Sequence, residues 1–80
     1  MKFKTHLYQL QTDERQRLAE LAHTSVPMLQ QIAYGNKRIE LGFADALVAL
    51  CDGSIALDDL PLTERAKHQH ALRSGLREAA

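Results

Sequence analysis

This chain of 80 residues has a single cysteine, Cys51, so no internal disulfide can stabilise the fold. A chain of this length forms one domain and buries only about 60 % of the surface that its unfolded form exposes. Without disulfides, such a domain is stabilised by close helix packing, by a metal ion or by pairing with a second copy. Cys51 follows an apolar run ending in Leu50, which predicts a buried apolar side chain and not a nucleophile.

Charge and hydropathy restrict the possible class of protein. No apolar run approaches the roughly 20 residues that a membrane helix requires, and Met1–Lys4 is not followed by a signal-like stretch. The absence of a disulfide framework fits a reducing compartment, so we expect a soluble cytoplasmic protein. With 10 basic and 10 acidic residues the net charge is zero, so attraction to phosphate must depend on local clusters such as Lys37–Arg38.

The hydrophobic spacing predicts an all-α protein, a compact bundle of four to five short helices. The first is expected over Thr5–Leu10 with Thr5 as its cap, and the second begins at the cap Thr12. The third is capped by Ser25, has a proline in its first turn and ends at Gly35–Asn36, residue types that favour a left-handed stop. The residues expected to face the core are Phe3, Leu7, Leu10, Leu18, Ala19, Leu21, Ala22, Met28, Leu29 and Ile32.

Two further helices are predicted after Asn36. A fourth spans about Gly42–Cys51, and a fifth runs from Leu62 to the end. Between them, Ser54–Leu57 is expected to be extended and Asp58–Pro61 to form a turn or one helical turn. The expected core-facing residues are Phe43, Ala46, Leu47 and Leu50, then Leu62, Ala66, Gln69, Leu72 and Leu76. These assignments divide the chain into a domain over residues 1–61 and an amphipathic helix or tail over residues 62–80, which docks on the core, pairs with another subunit or frays.

The segment Arg15–Gly35 has the spacing of two short helices that cross through a tight turn. Such a crossing needs a residue with a small side chain where the helices meet, and Ala19 is suitable. Ser25 supplies the cap at the turn, and Gln30 and Gln31 are expected on the outer face of the second helix. A glutamine amide donates and accepts together, so it can pair with N6 and N7 of adenine in the major groove. The segment therefore predicts a helix-turn-helix that reads double-stranded DNA.

This pattern resembles the lambda-repressor-like helix-turn-helix superfamily, and in particular its small Cro/YdaS-type phage and prophage regulators. The matching residues are Arg15-Gln16-Arg17-Leu18-Ala19, Ser25 and Gly35-Asn36-Lys37-Arg38, then a helix at Phe43–Cys51, Gly53 and Asp59-Leu60-Pro61. The resemblance extends to about Pro61 and does not cover the tail. It departs at His23, which stands at the turn position where the family usually has glycine. A side chain at positive φ costs roughly 1 kcal/mol there.

The resemblance implies a sequence-specific transcriptional regulator of bacterial or phage origin, a Cro-like repressor that inserts helix 25–34 into the major groove. It would bind a two-fold symmetric operator as a homodimer, through either the Leu62–Leu76 stripe or Ser54–Leu57. The expected base contacts are Ser25, Val26, Pro27, Gln30, Gln31 and Tyr34. The expected phosphate contacts are Gln16, Asn36, Lys37 and Arg38. No enzymatic activity, cofactor, small-molecule substrate or membrane partner is expected.

A second function stays open, that of an antitoxin-like or inhibitor protein whose tail folds on a protein partner. The zero net charge and the thin amphipathic tail motivate it. The histidines do not predict a metal site, because His68 and His70 point to different sides of a helix and no Cys-x-x-Cys or His-Glu-x-x-His spacing occurs. The pair Asp58–Asp59 lacks a partner base or nucleophile, so it does not predict catalysis.

Overall fold

The computed structural model describes residues 2–79, and the side chains of residues 2–75. The helices are α1 Phe3–Gln9, α2 Thr12–Leu21, α3 Val26–Ala33, α4 Leu41–Leu50 and α5 Glu64–Ala79, with a short 3-10 helix at Leu57–Asp59. Residues 2–79 contain no strand, only an isolated parallel bridge between Ile39 and Leu62. The predicted all-α class is therefore confirmed. No helix within residues 2–79 combines the length and apolar character needed to cross a bilayer.

The core forms where α1 and α2 pack on α3, and it continues between α4 and α5. Its largest fully buried side chains are Phe3, Leu7, Leu29, Ile32 and Leu47. Smaller buried residues, including Ala19, Ala44 and Ala66, allow the helices to approach closely. Leu62 and Ala66 belong to the same cluster as the residues of α1 to α4, so the beginning of α5 is docked on the bundle.

The helices α2 and α3 end with the same kind of stop. His23 has φ = 56°, and the Thr24 N–H donates to the Ala19 carbonyl at 2.8 Å. Gly35 has φ = 77°, and the Asn36 N–H donates to the Gln31 carbonyl at 2.9 Å. Each helix thus ends at a residue in the left-handed conformation, and the N–H of the next residue bonds to a carbonyl in the last turn. The expected positive φ at His23 is confirmed, whereas at the end of α3 only Gly35, and not Asn36, takes the left-handed conformation.

The strain at His23 leads to a first prediction. We expect His23→Gly to raise the free energy of unfolding by about 0.5–1 kcal/mol, because glycine takes positive φ without the clash of a Cβ. Thermal unfolding followed by circular dichroism measures the change. His68→Gly is the matched control, because His68 is exposed inside α5 and glycine there should instead cost about 1 kcal/mol. Destabilisation by both substitutions would contradict the strain argument.

Two predicted helix caps are wrong. Thr5 lies inside α1, which begins after Lys2, because Phe3 must itself be helical to bury its ring on the same face as Leu7. Thr12 is the first residue of α2 and not its cap. The helix begins after Gln11, whose N–H donates to Glu14 Oε1 at 2.9 Å. By contrast, the Ser25 cap of α3 is confirmed.

Several residues predicted to face the core lie at the surface. Leu21 is 53 % exposed and Met28 is 36 % exposed, because the buried faces of α2 and α3 centre on other residues. In α4 the buried face contains Ala44 and Leu47, with Phe43 half-buried and Ala46 and Leu50 exposed.

The predicted apolar stripe of α5 is also wrong in its second half. Gln69 and Leu72 are exposed, while Leu76 lies outside the residues whose side chains are described. The face that packs on the bundle is partly polar. Arg73 donates two hydrogen bonds to the Asp45 carboxylate, each at 3.2 Å, and His70 Nε2 lies 3.3 Å from Asp58 Oδ1. These polar pairs, and not the predicted apolar stripe, orient the second half of α5 on the bundle.

The connection between α3 and α4 is fixed to the segment that precedes α5. The Ile39 N–H donates to the Pro61 carbonyl at 2.9 Å, and the Thr63 N–H donates to the Ile39 carbonyl at 3.0 Å. Ile55 is buried, and the 3-10 helix that follows matches one of the two forms predicted near Asp58, a single helical turn. Leu57, which was expected to be extended, belongs to that 3-10 helix. The loop that follows α3 is thus held by backbone bonds between distant parts of the chain.

Candidate nucleic-acid interface

The helix α3 has one face in the core and the opposite face outside. Leu29 and Ile32 are fully buried, whereas Pro27, Gln31 and Tyr34 are exposed. At about 100° per residue, these exposed residues share one side of the helix. Gln30 is half-buried at the edge of that side. The outward glutamine is therefore Gln31, and Gln30 has less freedom to reach a ligand.

The beginning of α3 borders a cleft of about 380 Å³ between α2 and α3. Gln16 lines this cleft together with Ser25, Val26 and Pro27, so a predicted phosphate contact and three predicted base contacts lie side by side. The Ser25 hydroxyl accepts from the Met28 N–H at 3.3 Å and keeps its own hydrogen for donation. Val26 is half-buried, so it exposes less apolar surface than Pro27.

The end of α3 is joined to α1 through two tyrosines. The hydroxyls of Tyr8 and Tyr34 lie 3.0 Å apart, and their ring centroids are 6.3 Å apart. Lys4 Nζ lies 4.7 Å from the centre of the Tyr34 ring, and the Arg15 guanidinium carbon lies 5.3 Å from that of Tyr8. We call these four residues the tyrosine–cation cluster. Lys4 thus lies beside the end of α3, whereas Arg15 lies against α1, where its Nε also donates to the Leu7 carbonyl at 3.1 Å. The sequence assigned neither cation to the site.

The hydroxyl pair of the cluster can donate to an acceptor. The hydrogen bond with Tyr34 raises the pKa of the Tyr8 phenol, with smaller contributions from burial and from Tyr34's charge, and Arg15 opposes the rise. The Tyr8 phenol therefore stays neutral near pH 7. Whichever hydroxyl donates within the pair, the hydrogen of the other remains available. With Lys4 and Arg15 alongside, this chemistry suits phosphate oxygens.

The loop after α3 brings further cations to the opposite edge of the helix. Lys37 is exposed and lines a groove with Met28 and Phe43, on the side of α3 that faces α4. Asn36 is exposed as well. Arg38 Nη1 donates to the Leu62 carbonyl at 3.0 Å, which fixes part of its guanidinium and leaves its other N–H groups for a ligand.

Charge is distributed unevenly over this neutral chain. The ion pairs between described side chains all involve α5, and they join Glu64 to Lys67, Asp58 to His70 and Asp45 to Arg73. Within the described part of the chain, the cations near α3, namely Lys4, Arg15, Lys37 and Arg38, have no ion-pair partner. Acids also line this surface, namely Glu20 at the α2–α3 cleft, Glu40 in the groove with Lys37, and Asp58 and Asp59 in the pocket with Lys4 and Tyr34. The four cations around α3 are thus not held in ion pairs with described residues, but they lie among acidic side chains.

The remaining chemical groups that sequence analysis considered lie elsewhere. Cys51 is buried, as predicted, and burial raises the pKa of its thiol, which keeps it protonated near pH 7. Among the described residues, no group of three or more histidine, cysteine, aspartate or glutamate side chains could hold a metal ion.

No family model, no curated protein and no solved structure matches this chain significantly. The resemblance to the lambda-repressor-like superfamily therefore remains a hypothesis that depends on the residues quoted for it. The structure itself defines a small all-α protein whose third helix has an exposed polar face flanked by cations.

Proposed function

We propose that this protein is a sequence-specific double-stranded DNA-binding protein, a transcriptional regulator of the Cro-like kind. In this proposal α2 and α3 form a helix-turn-helix, and α3 enters the major groove. The observation that supports it is the outer face of α3, where Pro27, Gln31 and Tyr34 are exposed above a fully buried Leu29. A helix with its side chains is about 10–12 Å wide and fits the major groove of B-DNA.

Base reading is assigned first to Gln31. Its amide is exposed and can make the paired hydrogen bonds that distinguish adenine from the other bases. Pro27 and the exposed part of Val26 offer apolar contact to a thymine methyl, and Ser25 can donate to a base or a phosphate. Gln30 reads an adjacent base from the edge of α3, with less room to move.

Phosphate contacts hold α3 in register from both sides. Gln16 acts at the beginning of the helix, and Lys37 with Asn36 and Arg38 acts after its end. The tyrosine–cation cluster adds Lys4, Arg15 and a hydroxyl hydrogen at the α1 edge. In this arrangement Tyr34 contributes its hydroxyl to the backbone of DNA and not to a base edge, because the hydroxyl is already bonded to Tyr8.

The proposed regulator acts as a homodimer in the cytoplasm of a bacterium, encoded by the host or by a phage, and represses transcription. Two copies of α3 would enter successive major grooves about 34 Å apart. One recognition helix alone makes a small interface, about 600–1,000 Å² for a single module, and pairing doubles the number of bases read.

A mobility-shift experiment at low salt tests the function. Genomic fragments of the source organism, including the region upstream of this gene, are expected to give a discrete complex that persists against competitor DNA. An antitoxin-like or inhibitor protein predicts no discrete complex on any fragment. That outcome would remove the regulator from consideration.

The substitutions Lys37→Ala and Gln30→Ala are expected to change DNA binding in different ways. Lys37→Ala should weaken binding to all sequences alike and reduce the slope of log affinity against log salt by about one unit. Gln30→Ala should relax base preference at one position and leave that slope unchanged. Fluorescence anisotropy on operator and scrambled duplexes at several salt concentrations measures both quantities.

Lys67→Ala is the matched control for charge, because Lys67 is an exposed lysine on α5 that pairs with Glu64 and is not assigned to DNA. It should leave the salt slope nearly unchanged. An equal loss on every sequence from Lys37→Ala and Gln30→Ala would contradict the separate roles.

A further inference from the structure

We infer that a second copy of this chain docks on the cleft between α2 and the C-terminal end of α4. This α2–α4 cleft has a volume of about 400 Å³. Leu10, Leu21 and Leu50 supply its apolar surface, and Arg17 and Asp52 are charged residues that also line it. The cleft does not include the Leu62–Leu76 stripe that the sequence suggested as a dimer interface, and it touches the other suggested interface, Ser54–Leu57, only at Ser54.

The apolar part of the cleft is poorly covered by its own chain. Leu21 is 53 % exposed and Leu50 is 37 % exposed, and both line the cleft beside the half-buried Leu10. The sequence pattern places Leu21 and Leu50 on apolar stripes that should face a core, yet the single chain leaves them at the surface. Exposed large apolar side chains that share one concave surface are typical of a protein contact.

The charges of the cleft favour a copy of the same chain as the occupant. Among the described residues, neither Arg17 nor Asp52 has an ion-pair partner. A two-fold contact is self-complementary, so Arg17 of each copy can meet Asp52 of the other. The lining also includes His6 and Glu14, whose Oε1 already accepts from the Gln11 N–H. A surface whose unpaired Arg17 and Asp52 can pair across a two-fold axis fits a second copy better than it fits nucleic acid or an anionic membrane. A second copy satisfies both charges twice while it covers the leucines.

The position of the cleft leaves the proposed DNA surface open. Arg17 and Leu21 line the α2–α4 cleft, whereas Gln16 and Glu20, about 100° further round α2, line the cleft beside α3. The two shorter dimensions of the molecule are 23 and 20 Å. Copies that meet through the α2–α4 cleft would carry α3 away from the contact, which is compatible with a major-groove repeat of about 34 Å. The comparison with the 34 Å repeat rests on the proposed function, whereas the exposed leucines of the cleft do not depend on it.

Sedimentation equilibrium of the full chain without DNA tests the interface. The wild-type protein is expected to dimerise, and Leu21→Glu should raise the dimer Kd at least about 100-fold, because it places an unpaired charge in the contact on both copies. Leu72→Glu is the matched control, since Leu72 is 56 % exposed and lies on α5, outside the cleft. That variant should dimerise like the wild type. Circular dichroism establishes that both variants are folded.

A second variant does not depend on the leucines. Arg17→Glu should raise the dimer Kd about tenfold at low salt, and the difference should shrink at high salt because exposed charges are screened. A wild-type protein that stays monomeric at its highest soluble concentration would overturn the interface. So would a Leu21→Glu protein that dimerises normally, or a Leu72→Glu protein that does not.

The test separates the interface from the function. A monomeric wild-type protein that still gives a discrete complex with one DNA half-site removes the dimer contact and leaves DNA binding in place. A wild-type protein that dimerises but shifts no DNA, and that loses its dimer with Leu21→Glu, supports the dimer contact and removes DNA binding.

Discussion

Gln31→Glu is expected to raise the Kd for operator DNA at least about 100-fold, because it removes a base contact worth about 1–3 kcal/mol and adds a charge beside phosphates. The amide of Gln31 is the exposed group on the outer face of α3 that can both donate to and accept from adenine. A carboxylate cannot donate to N7, and it is repelled by the DNA backbone. Anisotropy titrations at one fixed salt concentration, on operator and scrambled duplexes, measure the loss.

Gln69→Glu is the control for the change in charge. Gln69 is exposed on α5, outside the surfaces assigned to DNA, and its substitution changes the net charge by the same amount. Its effect should be small, because charges more than about 8–10 Å from the phosphates are largely screened at physiological salt. Equal losses from the two variants would mean that only net charge matters. Full binding by Gln31→Glu would exclude the outer face of α3 as the reading surface.

Leu29→Ala is expected to lower the free energy of unfolding by about 2–5 kcal/mol. Leu29 is fully buried in α3, where it belongs to the core that α1 and α2 form on this helix. Removal of its side chain leaves a cavity in addition to the lost transfer free energy. Because small domains have only about 5–15 kcal/mol of stability, this loss is a large fraction of the total. Urea unfolding followed by circular dichroism measures the change.

Met28→Ala is the matched control for Leu29→Ala. The sequence pattern assigns both neighbours to the core, but Met28 is 36 % exposed and borders an open groove beside Lys37. Its substitution should cost less than half as much as that of Leu29. If Met28→Ala were the more destabilising of the two, the orientation of α3 about its own axis would be wrong, and with it the assignment of Gln31 to the outer face.

The parts of the fold that were predicted correctly depend on residues close together in the sequence. The Ser25 cap bonds an N–H three residues ahead, and the stop at Gly35 follows from the freedom of glycine at positive φ. His23 takes its left-handed conformation through bonds within one turn of α2. Each of these features is decided by local geometry, so the order of residues is enough to reveal it.

Most of the parts that were predicted wrongly depend on packing between distant segments. The start of α2 is the exception, because the local bond from the Gln11 N–H to Glu14 decides it. The start of α1 follows from the burial of Phe3, which Thr5 does not signal. The second half of α5 packs through the bond between Arg73 and Asp45, 28 residues apart, and not through the predicted Gln69 and Leu72. In α4 almost every side chain is apolar, so periodicity does not choose the buried side.

The candidate site also contains some residues that local geometry brings together and others that only packing between distant segments brings together. The residues Gln16 and Ser25–Pro27 line one cleft, because the short turn between α2 and α3 limits where they can lie. The tyrosine–cation cluster was missed, since Tyr8 and Tyr34 are 26 residues apart and meet only through the packing of α1 on α3. The spacing of Lys4 and Tyr8, one helical turn apart, was the available signal, and it indicates a shared face without naming the neighbour.

The sequence by itself determined that the chain is all-helical and where α3 is capped and stopped, because hydrogen bonds within a turn involve only neighbouring residues. The tertiary structure alone decided that Gln31 and not Gln30 faces outward, that Leu21 and Leu50 stay at the surface, and that Lys4 lies beside the end of α3. The rotation of a short helix about its axis is set by the summed burial of its side chains against its neighbours. That sum depends on contacts between segments far apart in the chain.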